Sequence, residues 1–143
     1  MTKTTDKNSS FTGLGISPSL LNQLKKLNFN TPTPIQHQAI PIAISGQDLM
    51  GIAQTGTGKT LAFGIPMIQR LQENKGTGLV ILPTRELAAQ VDQSLKILGR
   101  AINLRTAILI GGTPIGPQTR DLNRKPHIII ATPGRLIDHL DRK

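Results

Sequence analysis

The sequence predicts an α/β protein: a parallel sheet of strand–helix units, entered through two short helices. Three observations carry this. From Asp48 onward, short apolar runs alternate with segments of helical period four times over. Such a series builds a parallel sheet with right-handed crossovers. Each apolar run is followed by a loop of unusual composition: AQTGTGKT, PTREL, GGTP and ATPGR in turn. In a parallel sheet the carboxyl ends of the strands share one edge, where ligands bind. Upstream, Ser17-Pro18 and Thr33-Pro34 each pair a capping residue with a proline suited to the first helical position.

Residues 1–10 are expected to be disordered. Ser17 opens a helix to about Leu27, and Thr33 opens a second, IQHQAIPIAI, interrupted near Pro41. DLMGIA is the first strand, followed by a helix from about Gly58 to Gln72 with a kink at Pro66. GLVIL is the second strand, followed by a helix from Glu86 to Leu98. LRTAILI is the third, followed by Ile115 to Asn123. HIIIA is the fourth, followed by Arg135 to Leu140. No repeat of solenoid period and no low-complexity linker interrupts the series.

With 143 residues the chain is long enough to bury a core as one domain. It has no cysteine, so disulfide frameworks and thiolate metal sites are excluded. The first residues lack a signal-peptide core, and no apolar run approaches a membrane span, so a cytoplasmic protein is expected. Lys and Arg number 17 against 8 acids, a net charge of +9, which suits anionic partners. The aromatics are Phe11, Phe29 and Phe63 alone. That is too few for a base-stacking platform, so a nucleic acid would be gripped by its backbone.

Residues 53–60, AQTGTGKT, have the spacing of a phosphate loop. Gly56 and Gly58 let the backbone curl so that successive N–H groups face phosphate oxygens. The following helix adds its positive end. Lys59 brings a point charge and Thr60 a hydroxyl for Mg²⁺. The alternative is a Gly/Thr turn with a surface lysine. Thr84 and Thr132 read as N-caps, placing Arg85 and Arg135 in first helical turns, where a cation costs about 0.3–1 kcal/mol. Two such placements on one edge suggest a bound anion, although Glu86 offsets Arg85 locally. Gly111 and Gly112 permit close backbone approach or simply a tight turn. Together these loops form a track for a phosphodiester backbone.

With these residues in place, the chain resembles the DEAD-box ATP-dependent RNA helicases. It matches the front part of their N-terminal RecA-like domain, from Phe11 to about Leu140. The motifs occur in order: Phe11 with FNTPTPIQ as the Q motif, AQTGTGKT as motif I, PTRELA as motif Ia, Gly111-Gly112 as the GG motif and TPGR as motif Ib. The resemblance implies a RecA-like P-loop sheet with helices on both faces. Residues 11–47 would be the Q-motif region and 48–143 the strand–helix units. It implies ATP and Mg²⁺ held by Phe11, Phe29, Thr31, Gln36, Ala53, Gln54, Thr55, Gly56, Thr57, Gly58, Lys59 and Thr60. Lys59 and Thr60 would act in catalysis. It further implies RNA sugar-phosphate held without sequence reading by Pro83, Thr84, Arg85, Gly112, Thr132, Pro133, Gly134 and Arg135. The first position of motif I is Ala53 rather than Gly. Asn28 stands where the family has Gly, and Gln47 where a basic residue is commoner.

Gln36 has two readings. Thr33-Pro34-Ile35-Gln36 fits a capping box, with Gln36 at N3. With the phosphate loop downstream and Phe29 and Phe11 upstream, the amide instead donates to and accepts from an adenine edge, as in DNA recognition. The chain stops at Lys143, before the strand that would carry Asp-Glu-Ala-Asp, and without the second RecA-like domain. Its acids are Asp6, Asp48, Glu73, Glu86, Asp92, Asp121, Asp138 and Asp141, none at the end of an apolar strand. This leaves two functions in play. One is the front of an RNA-stimulated ATPase and helicase. The other is a fragment that binds nucleotide or RNA without hydrolysis, prone to self-association through an exposed sheet edge. An unrelated P-loop NTPase or kinase would not carry five ordered motifs.

Overall fold

A computed structural model describes residues 10–142. The disorder expected over residues 1–10 therefore falls outside the described residues, except at Ser10. The chain divides into two compact units, Met1–Glu73 and Asn74–Lys143.

The first unit holds α1 (Pro18–Lys26), α2 (Pro34–Ile44) and α3 (Lys59–Glu73). α1 stops where Asn28 turns left-handed at φ 63°, a conformation asparagine tolerates, and the Phe29 N–H returns to the Leu24 carbonyl at 2.9 Å. α2 is not interrupted at Pro41 as the sequence suggested. A proline removes one N–H from the ladder, and the helix continues around it because Ile40 and Ala39 are buried and α2 packs along α3. Leu20, Leu24, Ile40, Ile65 and Ile68 are the most deeply buried side chains, with Phe11, Leu14 and Ile16 beside them in the buried set. The Gln69 amide ties the segment after Phe11 to α3. Its Oε1 accepts from the Ser17 N–H at 2.8 Å, and its Nε2 donates to the Gly15 carbonyl at 2.9 Å.

The strand expected over DLMGIA does not form. Asp48 to Ala53 runs as irregular chain, with Met50 89% and Ile52 88% exposed. A strand exists through the ladder its neighbour offers to its N–H and C=O groups. Among the described residues no segment offers that ladder here. An apolar run is thus insufficient for a strand, and among the described residues the series has three strands rather than four.

The second unit holds β1 (Gly78–Ile81), α4 (Arg85–Leu98), a 3-10 turn (Arg100–Ile102), β2 (Thr106–Leu109), α5 (Ile115–Asn123), β3 (Ile128–Ala131) and α6 (Pro133–Asp141). The sheet is parallel with order β1-β3-β2. Gly78, Ile128 and Thr106 lie level at one end, and Ile81, Ala131 and Leu109 at the other. In the middle strand Ile128, Ile130 and Ala131 are fully buried and Ile129 is half-buried. α4 covers the sheet with Ala88, Val91, Leu95 and Leu98. That spacing is the apolar stripe of an amphipathic helix. Asp92 on α4 is buried yet satisfied. It accepts from the Thr106 hydroxyl and pairs with Lys96 Nζ at 2.9 Å.

At the amino ends of the strands the Arg105 N–H donates to His127 Nδ1 at 3.0 Å. Burial, then the Arg105 charge, hold the His127 pKa below the usual imidazole value. A depressed native pKa means that the unfolded chain binds the extra proton first. The stabilisation is complete above about pH 6.5, the unfolded value, and is lost as pH falls toward the native one. Thermal melts should therefore move down between about pH 7 and pH 5, and His127→Gln should reduce that slope. An unchanged slope in the variant would remove His127 from the account.

Candidate functional site

Each unit carries one of the expected groups of residues. In the first, residues 53–58 form a loop that opens directly into α3, whose first residue is Lys59. Gly56 and Gly58 take φ of 77° and 83°, the left-handed region that glycine enters freely. Thr57 Oγ1 donates to the Gln54 carbonyl at 2.5 Å, and Lys59 Nζ reaches back to the Ala53 carbonyl at 2.8 Å. The lysine thus arches over the loop from its end to its start. Ala53, Thr57, Gly58 and Thr60 are half-buried, while Gln54, Thr55, Gly56 and Lys59 are exposed.

The Q-motif stretch meets this loop through one side chain. Gln36 is 3% exposed. Its Oε1 accepts from the Thr33 N–H at 2.9 Å, closing the capping box that the sequence suggested. Its Nε2 donates to the Gly58 carbonyl at 3.1 Å, which the sequence did not suggest. A β-carbon on Gly58 would overlap Gln36 Nε2 and stand 3.2 Å from Thr33 Oγ1. Glycine is required there twice over, by conformation and by approach. Thr33 Oγ1 faces the Gln36 N–H without a hydrogen bond of full geometry, and is buried with no partner among the described residues. Phe29 is 44% exposed and Thr31 is exposed, both open to a ligand. Phe11 is buried at 4%, so it supports the surrounding core rather than presenting a face.

In the second unit the three loops after β1, β2 and β3 leave from level strand ends, as parallel register requires. Pro83, Thr84 and Arg85 are exposed. Thr84 caps α4 by accepting from the Leu87 N–H at 3.2 Å. Arg85 Nη1 donates to the Gly111 carbonyl at 3.3 Å, lying so close over Gly112 (φ 76°) that a β-carbon there would overlap it. Thr132 is the N-cap residue of α6 without a capping hydrogen bond from its side chain, and its Oγ1 turns to the Leu109 carbonyl at 3.5 Å. Pro133 and Gly134 are exposed in the first turn. Arg135 Nη1 donates to the Thr113 carbonyl at 2.9 Å, and its Nε lies 3.7 Å from Asp138. The two arginines thus lie over one loop, Gly111 to Thr113, each from a different helix N-terminus.

Sequence reasoning missed the residue beneath this arrangement. Gln118 on α5 is 6% exposed and hydrogen-bonds to Ile110, Thr113, Arg135 and His139. Burial, then the Arg135 charge, hold the His139 pKa below its usual value, with Asp138 opposing. Hydrogen bonding from Arg142 is the main cause holding the Asp138 carboxyl low. A signal was present. Gln118 occupies the inward register of its helix, three residues after Ile115 and four before Leu122. Gln69 sits in the same kind of register on α3, four residues after Ile65.

Left-handed glycines opening straight onto a helix whose first residue is lysine define a phosphate-loop protein. Within that class the chain belongs to the DEAD/DEAH box helicase family, whose model matches residues 33–143. The ATP-dependent rRNA helicase RRP3 of Pyricularia oryzae is 51% identical over 135 residues, covering 93% of this chain and 25% of that protein. The RRP3 of Debaryomyces hansenii is 49% identical over 137 residues, covering 94% of this chain and 29% of that one. Among solved structures, a DEAD box protein from the hyperthermophile Methanococcus jannaschii superposes with a TM-score of 0.86 at 39% identity, over 94% of this chain and 37% of that one. The RNA helicase Prp28 from Chaetomium thermophilum, bound to ADP, gives 0.85 at 35% identity, over 94% and 34%. The parallel sheet with flanking helices is that of the RecA-like P-loop fold, as the resemblance implied. The chain spans 25–30% of the length of the curated relatives it matches.

Proposed function

We infer that this chain supplies the nucleotide-binding and RNA-backbone-binding parts of an ATP-dependent RNA helicase. The whole protein would couple ATP hydrolysis to local separation of an RNA duplex. The observation that carries this is the Gln36 amide, which spans from the Q-motif helix cap to the phosphate loop at Gly58. Residues 11–143 belong to one N-terminal RecA-like domain, with 11–47 as its Q-motif region. ATP lies along residues 53–60, its phosphates facing the loop N–H groups and Lys59, its base toward Phe29, Thr31 and Gln36, with Phe11 supporting from the core. The Thr60 hydroxyl is a hard oxygen donor that would help hold Mg²⁺, and the ion when bound would supply charge neutralisation at the transferred phosphoryl group. RNA sugar-phosphate follows Pro83, Thr84, Arg85, Gly112, Thr132, Pro133, Gly134 and Arg135. No helix among the described residues is long and apolar enough to cross a membrane, in keeping with cytoplasmic placement. Among the described residues β1 pairs on one side only and exposes Leu79 and Ile81, which supports self-association through that edge. Sedimentation velocity showing only monomer at high concentration would refute that last point.

A second reading of Gln36 is favoured by its buried, bonded state: a cap that also braces the loop. The two readings are compatible in valence. One hydrogen on Nε2 and one lone pair on Oε1 remain, the two an adenine edge uses. They separate in one experiment. Gln36→Ala should lower stability by about 1–2 kcal/mol through loss of the cap and the Gly58 bond. It should also bring ATP and GTP affinities together, read by calorimetric titration of each nucleotide. If stability falls while the ATP-to-GTP ratio holds, the amide braces the loop and does not read the base.

A further inference from the structure

The contacts around Gln118 have a property that neither arginine loop has alone: every hydrogen-bonding valence of the amide is used. Nε2 spends its two hydrogens on the Ile110 carbonyl at 2.8 Å and Thr113 Oγ1 at 2.9 Å. Oε1 accepts from Arg135 Nη1 at 3.3 Å and from His139 Nε2 at 2.8 Å. Since Oε1 is acceptor to both, His139 carries its proton on Nε2. The amide is 6% exposed, so none of these bonds is exchanged freely with water. Its two ends lead to different places. The donor end holds the residues on either side of Gly111-Gly112, and the acceptor end holds the guanidinium of Arg135. Arg135 itself closes the ring by donating to the Thr113 carbonyl at 2.9 Å. The guanidinium then has both Nη1 hydrogens committed and Nε turned toward Asp138. The two Nη2 hydrogens have no partner among the described residues.

We propose that Gln118 is a positioning residue that locks the Gly111–Thr113 loop and Arg135 into one rigid backbone-binding unit, leaving the Nη2 edge of Arg135 for an RNA phosphate. This rests on the RNA reading above. Gln118 does not touch the nucleic acid. It fixes the arginine rotamer, whose freedom would otherwise be lost on binding, and fixes the loop against which that arginine is set. A planar guanidinium held on one edge presents the other for a fixed, forked approach to phosphate.

The test uses this chain and fluorescein-labelled oligouridine, with anisotropy measured from about 50 to about 200 mM KCl. Gln118→Met keeps the size and removes all four bonds. It should weaken RNA binding about tenfold and lower the slope of log affinity against log salt by about 0.7, one phosphate contact on a single strand. Arg135→Ala should do the same, and the double variant should be no weaker than Arg135→Ala alone. In the free protein, Gln118→Met should shift the Arg135 Nε–H resonance and speed its exchange, a readout that involves no RNA. Thr113→Val, at an exposed position, removes one of the four bonds together with the hydroxyl's own bond to the Ile110 carbonyl, and should move both readouts the same way, RNA affinity by about two- to threefold. Additive losses in the double variant, or an Arg135 resonance unmoved by Gln118→Met and Thr113→Val, would show that Gln118 only stabilises its helix. If Arg135→Ala binds RNA as the parent does, the RNA reading itself fails and this proposal with it, an outcome distinct from failure of the Gln118 variants alone.

Discussion

Replacing Gly58 by alanine is expected to destabilise the Met1–Glu73 unit by about 2–5 kcal/mol and to abolish measurable ATP binding. Two costs add. At φ 83° a β-carbon meets the preceding backbone, worth about 1–2 kcal/mol. That same carbon overlaps Gln36 Nε2, so the buried amide must leave its place. It then forfeits bonds to the Gly58 carbonyl and the Thr33 N–H, about 1–3 kcal/mol when a buried polar group loses its partner. The disturbance should appear in native-state hydrogen exchange as faster exchange across the first turns of α2 and α3, with the end of α3 at Gln69 less affected. Exchange in α2 equal to that of the parent would mean that the Gln36–Gly58 bond carries no strain between loop and helix.

Lys59→Ala should give the opposite profile. ATP affinity should fall about a hundredfold, the loss of one ammonium-to-phosphate interaction of about 3 kcal/mol. Stability should change by no more than about 0.5 kcal/mol. Lys59 is exposed, and its partner in the free loop, the Ala53 carbonyl, is half-exposed and returns to water when released. Titration calorimetry and thermal melts on the two variants separate shape from charge in the phosphate loop. A large loss of stability in Lys59→Ala would show instead that the lysine holds the loop closed.

Much of this architecture was legible because local chemistry and global fold agree. α5 was bounded at Ile115 and Asn123 from its period alone, and Thr84 was readable as a cap from its place before Arg85. The phosphate loop was legible because left-handed glycine, helix start and lysine are all local in sequence. The failures are non-local. Asp48–Ala53 has the composition of a buried strand, but pairing is decided by a partner, and no composition encodes that. The Pro41 break was a local rule overridden by packing of α2 on α3. Gln118 and Gln69 are not legible in the sequence because a polar residue in an inward register reads as a weak helix face. Their value lies in loop carbonyls that only the folded chain brings within reach.

The strand order has a further consequence, for how the chain is made. β1 and β2 never touch in a ladder; both hydrogen-bond to β3, the last strand of the three to leave the ribosome. During synthesis, β1 must stay unpaired while the roughly fifty residues between it and β3 are added, and β2 waits for the same event, since non-local pairing cannot precede its partner. The Met1–Glu73 unit has no such dependence, because α2 and α3, which pack on one another, are close in sequence. The sheet therefore has its earliest chance to assemble when Ile128–Ala131 emerges, between two strands already made.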